Sequence, residues 1–153
     1  MAIRKTTQSD FDTQVRLFVY RFLLREERSP TVREIATGLR LPAPKIRGAL
    51  TRLSESHAFM LQENGELWRA APFSCVPTAF LVTIGKRTWF ANCIWDALGI
   101  PAMLNQDAEI KAACGCCNHD MPLEVHDGKL SSNKGVIHIA VPAREWYKDV
   151  VFT

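Results

Sequence analysis

A thiol and a carboxylate stand three residues apart, as Cys93 and Asp96, in the run Trp89-Phe90-Ala91-Asn92-Cys93-Ile94-Trp95-Asp96-Ala97-Leu98. Read at about 100° per residue, this run predicts a helix over Trp89–Leu98 stopped by Gly99 and Pro101. Phe90, Ile94, Ala97 and Leu98 then share one face, with Cys93 on its border and Asp96 just beyond. The two functional groups become neighbours at the edge of a core. Partial burial raises a carboxyl pKa because it penalises the charged form, so Asp96 can hold a proton near neutral pH and deliver it to a group bound at the sulfur. Such a pair suits acid chemistry on a thiolate-bound substrate. The same spacing is equally that of a packing thiol beside a solvated carboxylate, and the spacing alone leaves both readings open.

A second sulfur-rich segment reads Cys114-Gly115-Cys116-Cys117-Asn118-His119-Asp120. It contains one C-x₂-C pair, half of a structural zinc site, and the chain has no second such pair. His119, His126, His138 and Cys75 stand at spacings that match no standard zinc pattern. Structural zinc is therefore not expected, and the cluster remains either a set of plain reduced thiols or a relay of metal or thiol groups. No organic cofactor is needed for the chemistry of the first pair.

The chain that must carry these groups has 153 residues, 47% hydrophobic and 23% charged, the composition of a folded protein. The first twenty residues have no apolar signal-peptide core, and no apolar run reaches the length of a membrane span, so a cytoplasmic location is expected and no membrane partner. Five cysteines in a reducing compartment are poor disulfide candidates. Charge is uneven: residues 1–56 hold 11 Lys/Arg against 6 Asp/Glu, whereas residues 57–153 hold 8 against 10. The two halves are expected to do different jobs.

From Asp10 to Glu27 the apolar residues Phe11, Val15, Phe18, Val19, Phe22 and Leu23 recur at helical steps, with Ser9 or Asp10 as the cap. Thr31-Val32-Arg33-Glu34 has the form of a capping box opening a short helix through Leu39. A third helix starts near Ala43-Pro44 and runs to about Ser56 with Ile46, Ala49, Leu50 and Leu53 inward. Two strand-like runs then flank Asn64-Gly65, a hairpin signal. Three helices and a hairpin predict a winged helix-turn-helix-like domain over residues 8–70. Residues 71–78, with two prolines and no period, read as a linker. Residues 79–153 carry strand candidates at Phe80–Ile84, Ala108–Ala113, Pro122–His126 and Val136–Val141 around the one main helix. The fold class is thus α+β, with a small mixed sheet in the second half.

The segment Trp89-Phe90-Ala91-Asn92-Cys93-Ile94-Trp95-Asp96-Ala97-Leu98-Gly99-Ile100-Pro101-Ala102 resembles the catalytic segment of the alkylmercury (organomercurial) lyase family, in which a cysteine, two intervening residues, an aspartate and a downstream Pro-Ala recur. The resemblance extends over almost the whole chain. It implies protonolysis of a carbon–mercury bond to a hydrocarbon and Hg²⁺, with an organomercurial and mercury(II) as the partners, Cys93 matching the mercury-binding thiol and Asp96 the proton donor. Soft thiolates are the preferred protein ligands of soft metals, which is the physical logic behind the match. Cys114 matches a family cysteine near the site that is given a structural role. Family members also use a second mercury-binding cysteine beyond a segment similar to Trp146–Thr153, where this chain stops. An active lyase then requires a longer chain or a substitute thiol, for which Cys114, Cys116 and Cys117 are the candidates; otherwise the protein binds mercurials without efficient cleavage. The alternative is a winged-helix regulator that senses soft metals, with Lys45, Arg47 and Arg52 on the candidate recognition helix. A net charge of +5 in residues 1–56 is modest for that role, so DNA is the less favoured partner.

Overall fold

Residues 7–131, 135–139 and 141–146 are described by a computed structural model of the chain. Helix α1 (Gln8–Glu26) is capped by Thr7, whose hydroxyl accepts from the Asp10 amide while Asp10 returns a bond to the Thr7 amide. The cap therefore lies before Ser9 and Asp10, because a hydroxyl three residues ahead of a carboxylate closes the reciprocal box. Helix α2 (Val32–Leu39) opens with the predicted Thr31–Glu34 box, and α3 (Ala43–Glu55) opens on proline. The stripes Phe11, Val15, Val19, Phe22, Leu23 of α1 and Ile46, Ala49, Leu50, Leu53 of α3 are buried. Arg52 of α3 ties to α1 through two bonds to Asp12, at 2.9 and 2.7 Å.

The hairpin of β1 (Met60–Leu61) and β2 (Leu67–Ala70) turns through Gly65 at φ +79°, a conformation natural to glycine. The expected linker is not irregular throughout. Phe73–Ser74 forms β3, pairs antiparallel with β2, and Phe73 bridges to Ala91 in the second half of the chain. Fully buried Phe73 explains this: the side chain seats in the core and draws its backbone into the sheet.

The second sheet runs in the order β5-β4-β6-β7-β8, from β4 (Leu81–Ile84), β5 (Arg87–Phe90), β6 (Ala108–Lys111), β7 (Leu123–His126) and β8 (Lys129–Leu130). Every pairing among the described residues is antiparallel, so the sheet is not mixed. Tight turns impose this on the β4–β5 and β7–β8 pairs, since a two-residue connection permits only an antiparallel return. The return after β7 likewise differs from expectation. Asp127 and Gly128, both at positive φ, make a two-residue turn that pairs β7 with Lys129–Leu130 at once. Residues 136–139 and 141 carry no strand, and Val136 is 91% exposed.

Trp89 and Phe90 belong to β5, paired with Val82 and Leu81, and the main helix α4 spans Ile94–Leu104. The expected helix over Trp89–Leu98 is therefore displaced toward the C-terminus, and Gly99 and Pro101 lie inside it. Burial of Ala97, Ile100 and Pro101, in a helix that packs against β4 and β6, offsets the roughly 3 kcal/mol that an interior proline costs. The helix ends instead at Asn105 in the left-handed region, where asparagine substitutes for glycine.

One core joins both halves, from Phe11 of α1 to Val125 of β7. The C-terminal carbonyls of α1 are met by β5: Trp89 Nε1 donates to Leu23 O at 2.8 Å and Arg87 Nη1 to Leu24 O at 3.0 Å. Among the described residues no helix is long and apolar enough to cross a membrane. Ile100 is fully buried on the inner side of α4. Ile100→Ala is expected to cost about 2–5 kcal/mol through the cavity it leaves, read as a lower urea midpoint at an unchanged slope.

Candidate active site

Strand β5 delivers the chain through Ala91 and Asn92 to the N-terminus of α4, where Cys93 is the N-cap in extended conformation and Asp96 lies in the first helical turn. The thiol and the carboxyl are thus neighbours, as the three-residue spacing predicts, but at a helix end rather than midway along one. The difference matters chemically. A sulfur at an N-cap faces unsatisfied backbone N–H groups and the positive end of the helix dipole, both of which favour a thiolate. No side-chain capping hydrogen bond is formed from Cys93 in this state.

Both groups are half-buried, and burial dominates their proton affinities. Burial pushes the Cys93 thiol above its ordinary pKa, the Asp96 charge adds to this, and the amides of Asp96 and Trp95 with the Arg69 charge oppose it. Burial likewise holds the Asp96 carboxyl above the ordinary aspartate value, against a hydrogen bond from Asn92 and the charge of Arg69. The Asp96 charge disfavours a negative charge on Cys93. The site without substrate therefore favours a neutral thiol and a retained acid proton.

Asn92, which periodicity did not single out, organises the centre. Its Nδ2 donates to Asp96 Oδ2 at 2.8 Å and reaches the carbonyls of Phe73 at 3.3 Å and Pro72 at 3.4 Å. One amide thereby joins α4 to the β3 segment. Three acceptors around Nδ2 fix the amide orientation, and Asn92 Oδ1 is left buried with no partner among the described residues. The only sequence signal for Asn92 was its position next to Cys93. Tyr20 and Arg69 also come from the first half. Tyr20 donates to Ala71 O at 2.8 Å, packs on Phe73, and its phenol is raised first by burial and in smaller part by Cys75 and Asp96.

Cys75 packs against the core and burial pushes its thiol up to about 11, with a weak opposing bond from Ser29, the pattern of an inert packing thiol. Cys114 is half-buried and Cys116 and Cys117 are exposed in the loop between β6 and β7. The groups acting on Cys114 come from its own loop: the amides of Cys117 and Cys116 and the Cys117 side chain lower its pKa. Among the described residues no three His, Cys, Asp or Glu side chains converge on a metal-sized site. Trp95 is 58% exposed with Trp146 edge-on at 6.4 Å, so it is neither core nor enclosed.

The surface clefts on the outer side of α1 and α2, lined by Leu17, Phe18, Arg21, Phe22 and Arg25, hold no thiol and lie on other elements than the Cys93 centre. The cations of α3 are engaged within the protein. Arg52 binds Asp12, Arg47 donates to Asn64 O at 3.2 Å, and Lys45 sits 4.8 Å from the Phe11 ring centroid.

Residues 73–153 match the family model for alkylmercury lyase, MerB. The chain belongs to the alkylmercury lyase family. The matched segment begins at β3 and contains Asn92, Cys93, Asp96 and the Cys114–Cys117 loop, so the whole candidate centre apart from Tyr20 and Arg69 lies within it. Alkylmercury lyases cleave the carbon–mercury bond, which is the chemistry of a thiol beside a protonated acid. The fold is also that of a crystal structure of the mercury-bound form of MerB2, with a TM-score of 0.60, 20% identity, and coverage of 84% of this chain and 67% of that one. At 84% coverage that likeness also takes in residues before Phe73, which the family model does not reach. No curated protein matches the chain.

Proposed function

We propose that this chain performs the protonolysis at the Cys93–Asp96 pair. The observation that carries the reading is the placement of both groups at the N-terminus of α4, each with its neutral form favoured by burial. An organomercurial cation displaces the Cys93 proton and binds the sulfur; the amides of the first turn and Arg69 stabilise the thiolate character this requires. Asp96 then gives its proton to the mercury-bound carbon, the carbon–mercury bond breaks, and the hydrocarbon leaves with Hg²⁺ held on sulfur. Because Asp96 Oδ2 accepts from Asn92, Oδ1 is the oxygen that carries the proton. The reaction needs no redox change.

The three helices and the β1–β2 hairpin form, in this reading, a winged-helix-like module that covers the centre rather than one that reads DNA. Supporting this are Arg69, whose charge acts on Cys93 and Asp96 from that module, and the internal engagement of Lys45, Arg47 and Arg52. The test is headspace detection of benzene from phenylmercury acetate incubated with the reduced protein. Release proportional to protein supports the reading, and none above buffer ends it.

Asn92 acts as a positioning residue. Its hydrogen bond favours the ionised form of Asp96, so Asn92→Ala is expected to raise the Asp96 pKa. The rate falls as pH rises through that pKa, since the donor must be protonated, and the alkaline limb of kcat should therefore move to higher pH. Losing the bonds to Phe73 and Pro72 is expected to cost about 1 kcal/mol of stability as well. An unmoved limb would leave Asn92 a purely structural link.

A further inference from the structure

The loop between β6 and β7 holds Cys114, Cys116 and Cys117. Its frame is an extension of the hairpin: Met121 N donates to Ala112 O at 2.8 Å, Ala113 bridges Asp120, and Cys114 N donates to His119 O at 2.8 Å. Inside that frame Asn118 N donates to Cys114 O at 2.8 Å, closing one helical turn, with Asn118 in the left-handed region that ends it. Residues three apart in such a turn face the same side, whereas adjacent ones diverge. The turn accordingly places Cys114 and Cys117 on one side and the adjacent Cys116 on another.

Among the described residues no third ligand joins this pair. A tetrahedral zinc site needs four ligands, but a soft ion that binds two sulfurs in line needs only two. We propose that Cys114 and Cys117 form a two-sulfur mercury(II) site that accepts the ion left on Cys93, an inference resting in its last step on the protonolysis proposed above. In that transfer the Cys93–mercury bond breaks and two new mercury–sulfur bonds form. Of the two protons displaced from Cys114 and Cys117, one returns to the Cys93 sulfur and one leaves to solvent. No electrons change hands.

Two experiments on the reduced full chain test it. In the first, Cys93→Ser protein is titrated with HgCl₂ against excess glutathione, with bound mercury counted by native mass spectrometry. Retention of one ion by C93S and by C93S/C116S, with affinity at least tenfold lower in C93S/C117S, is the expected result. Equal retention by C93S/C117S, or none by C93S, overturns the site; melting curves matching C93S exclude unfolding as the cause. In the second, one equivalent of phenylmercury is turned over by the wild-type chain and the free thiols are alkylated with iodoacetamide. Cys93 should be alkylated while Cys114 and Cys117 are protected, and the reverse pattern overturns the transfer. Absence of benzene would sink the protonolysis while leaving the first experiment decisive for the dithiol.

Discussion

Cys93→Ser is expected to bring hydrocarbon release from phenylmercury acetate down to the rate of buffer alone, without weakening the fold. A hydroxyl is a hard, weakly acidic ligand and does not replace a thiolate on a soft metal ion. Without the mercury–sulfur bond there is no activated carbon for Asp96 to protonate. The structural consequence runs the other way. Position 93 is the N-cap of α4, and cysteine makes no capping bond there. Serine is among the preferred caps, and a gained cap is worth about 0.5–2 kcal/mol. The variant should melt at the same temperature as the wild type or above it. Thermal melting beside gas chromatography of the headspace separates the outcomes: lost activity with lost stability would make Cys93 a packing residue, and retained activity would remove it from the mechanism.

Asp96→Asn is expected to lower the rate of protonolysis by about 10²- to 10⁴-fold, the usual worth of a positioned general acid, while mercurial binding survives. Asparagine keeps the shape and still accepts the Asn92 bond but has no proton to give. Three consequences follow from burial. The native Asp96 pKa lies above its unfolded value of 3.8, so the folded state holds the proton more tightly. Stability is consequently lost as pH rises from about the unfolded value through the folded one, where a buried charge must form. Asp96→Asn escapes that loss, and its advantage over the wild type in urea should grow across the same window. Because the ionised Asp96 opposes ionisation of Cys93, the variant thiol should also react faster with iodoacetamide at a fixed pH above the Asp96 pKa. A variant with full activity would assign the proton to another group.

Much of the local structure was legible from residue order. The apolar stripes of α1 and α3, the Thr31–Glu34 capping box and the Asn64-Gly65 hairpin depend on contacts within a few residues, and they formed where periodicity and turn chemistry predicted. The proximity of Cys93 and Asp96 is of the same kind. What misled the periodicity was the run Trp89-Phe90-Ala91: a short apolar run fits either period, and pairing with Leu81 and Val82 across the sheet settled it as strand. That pairing moved the start of α4 to Ile94 and so made Cys93 a helix cap.

Residue types and their spacing determined that a thiol and an acid lie side by side, since three residues cannot carry them far apart. Tertiary structure alone decided their chemistry. Burial that shifts both proton affinities, the Asn92 amide bridging to the Phe73 carbonyl, and the approach of Arg69 and Tyr20 from the first half all join residues distant in the chain. A pKa is set by solvent exclusion and by charges in space, and neither is fixed until the strands and helices that supply them have packed.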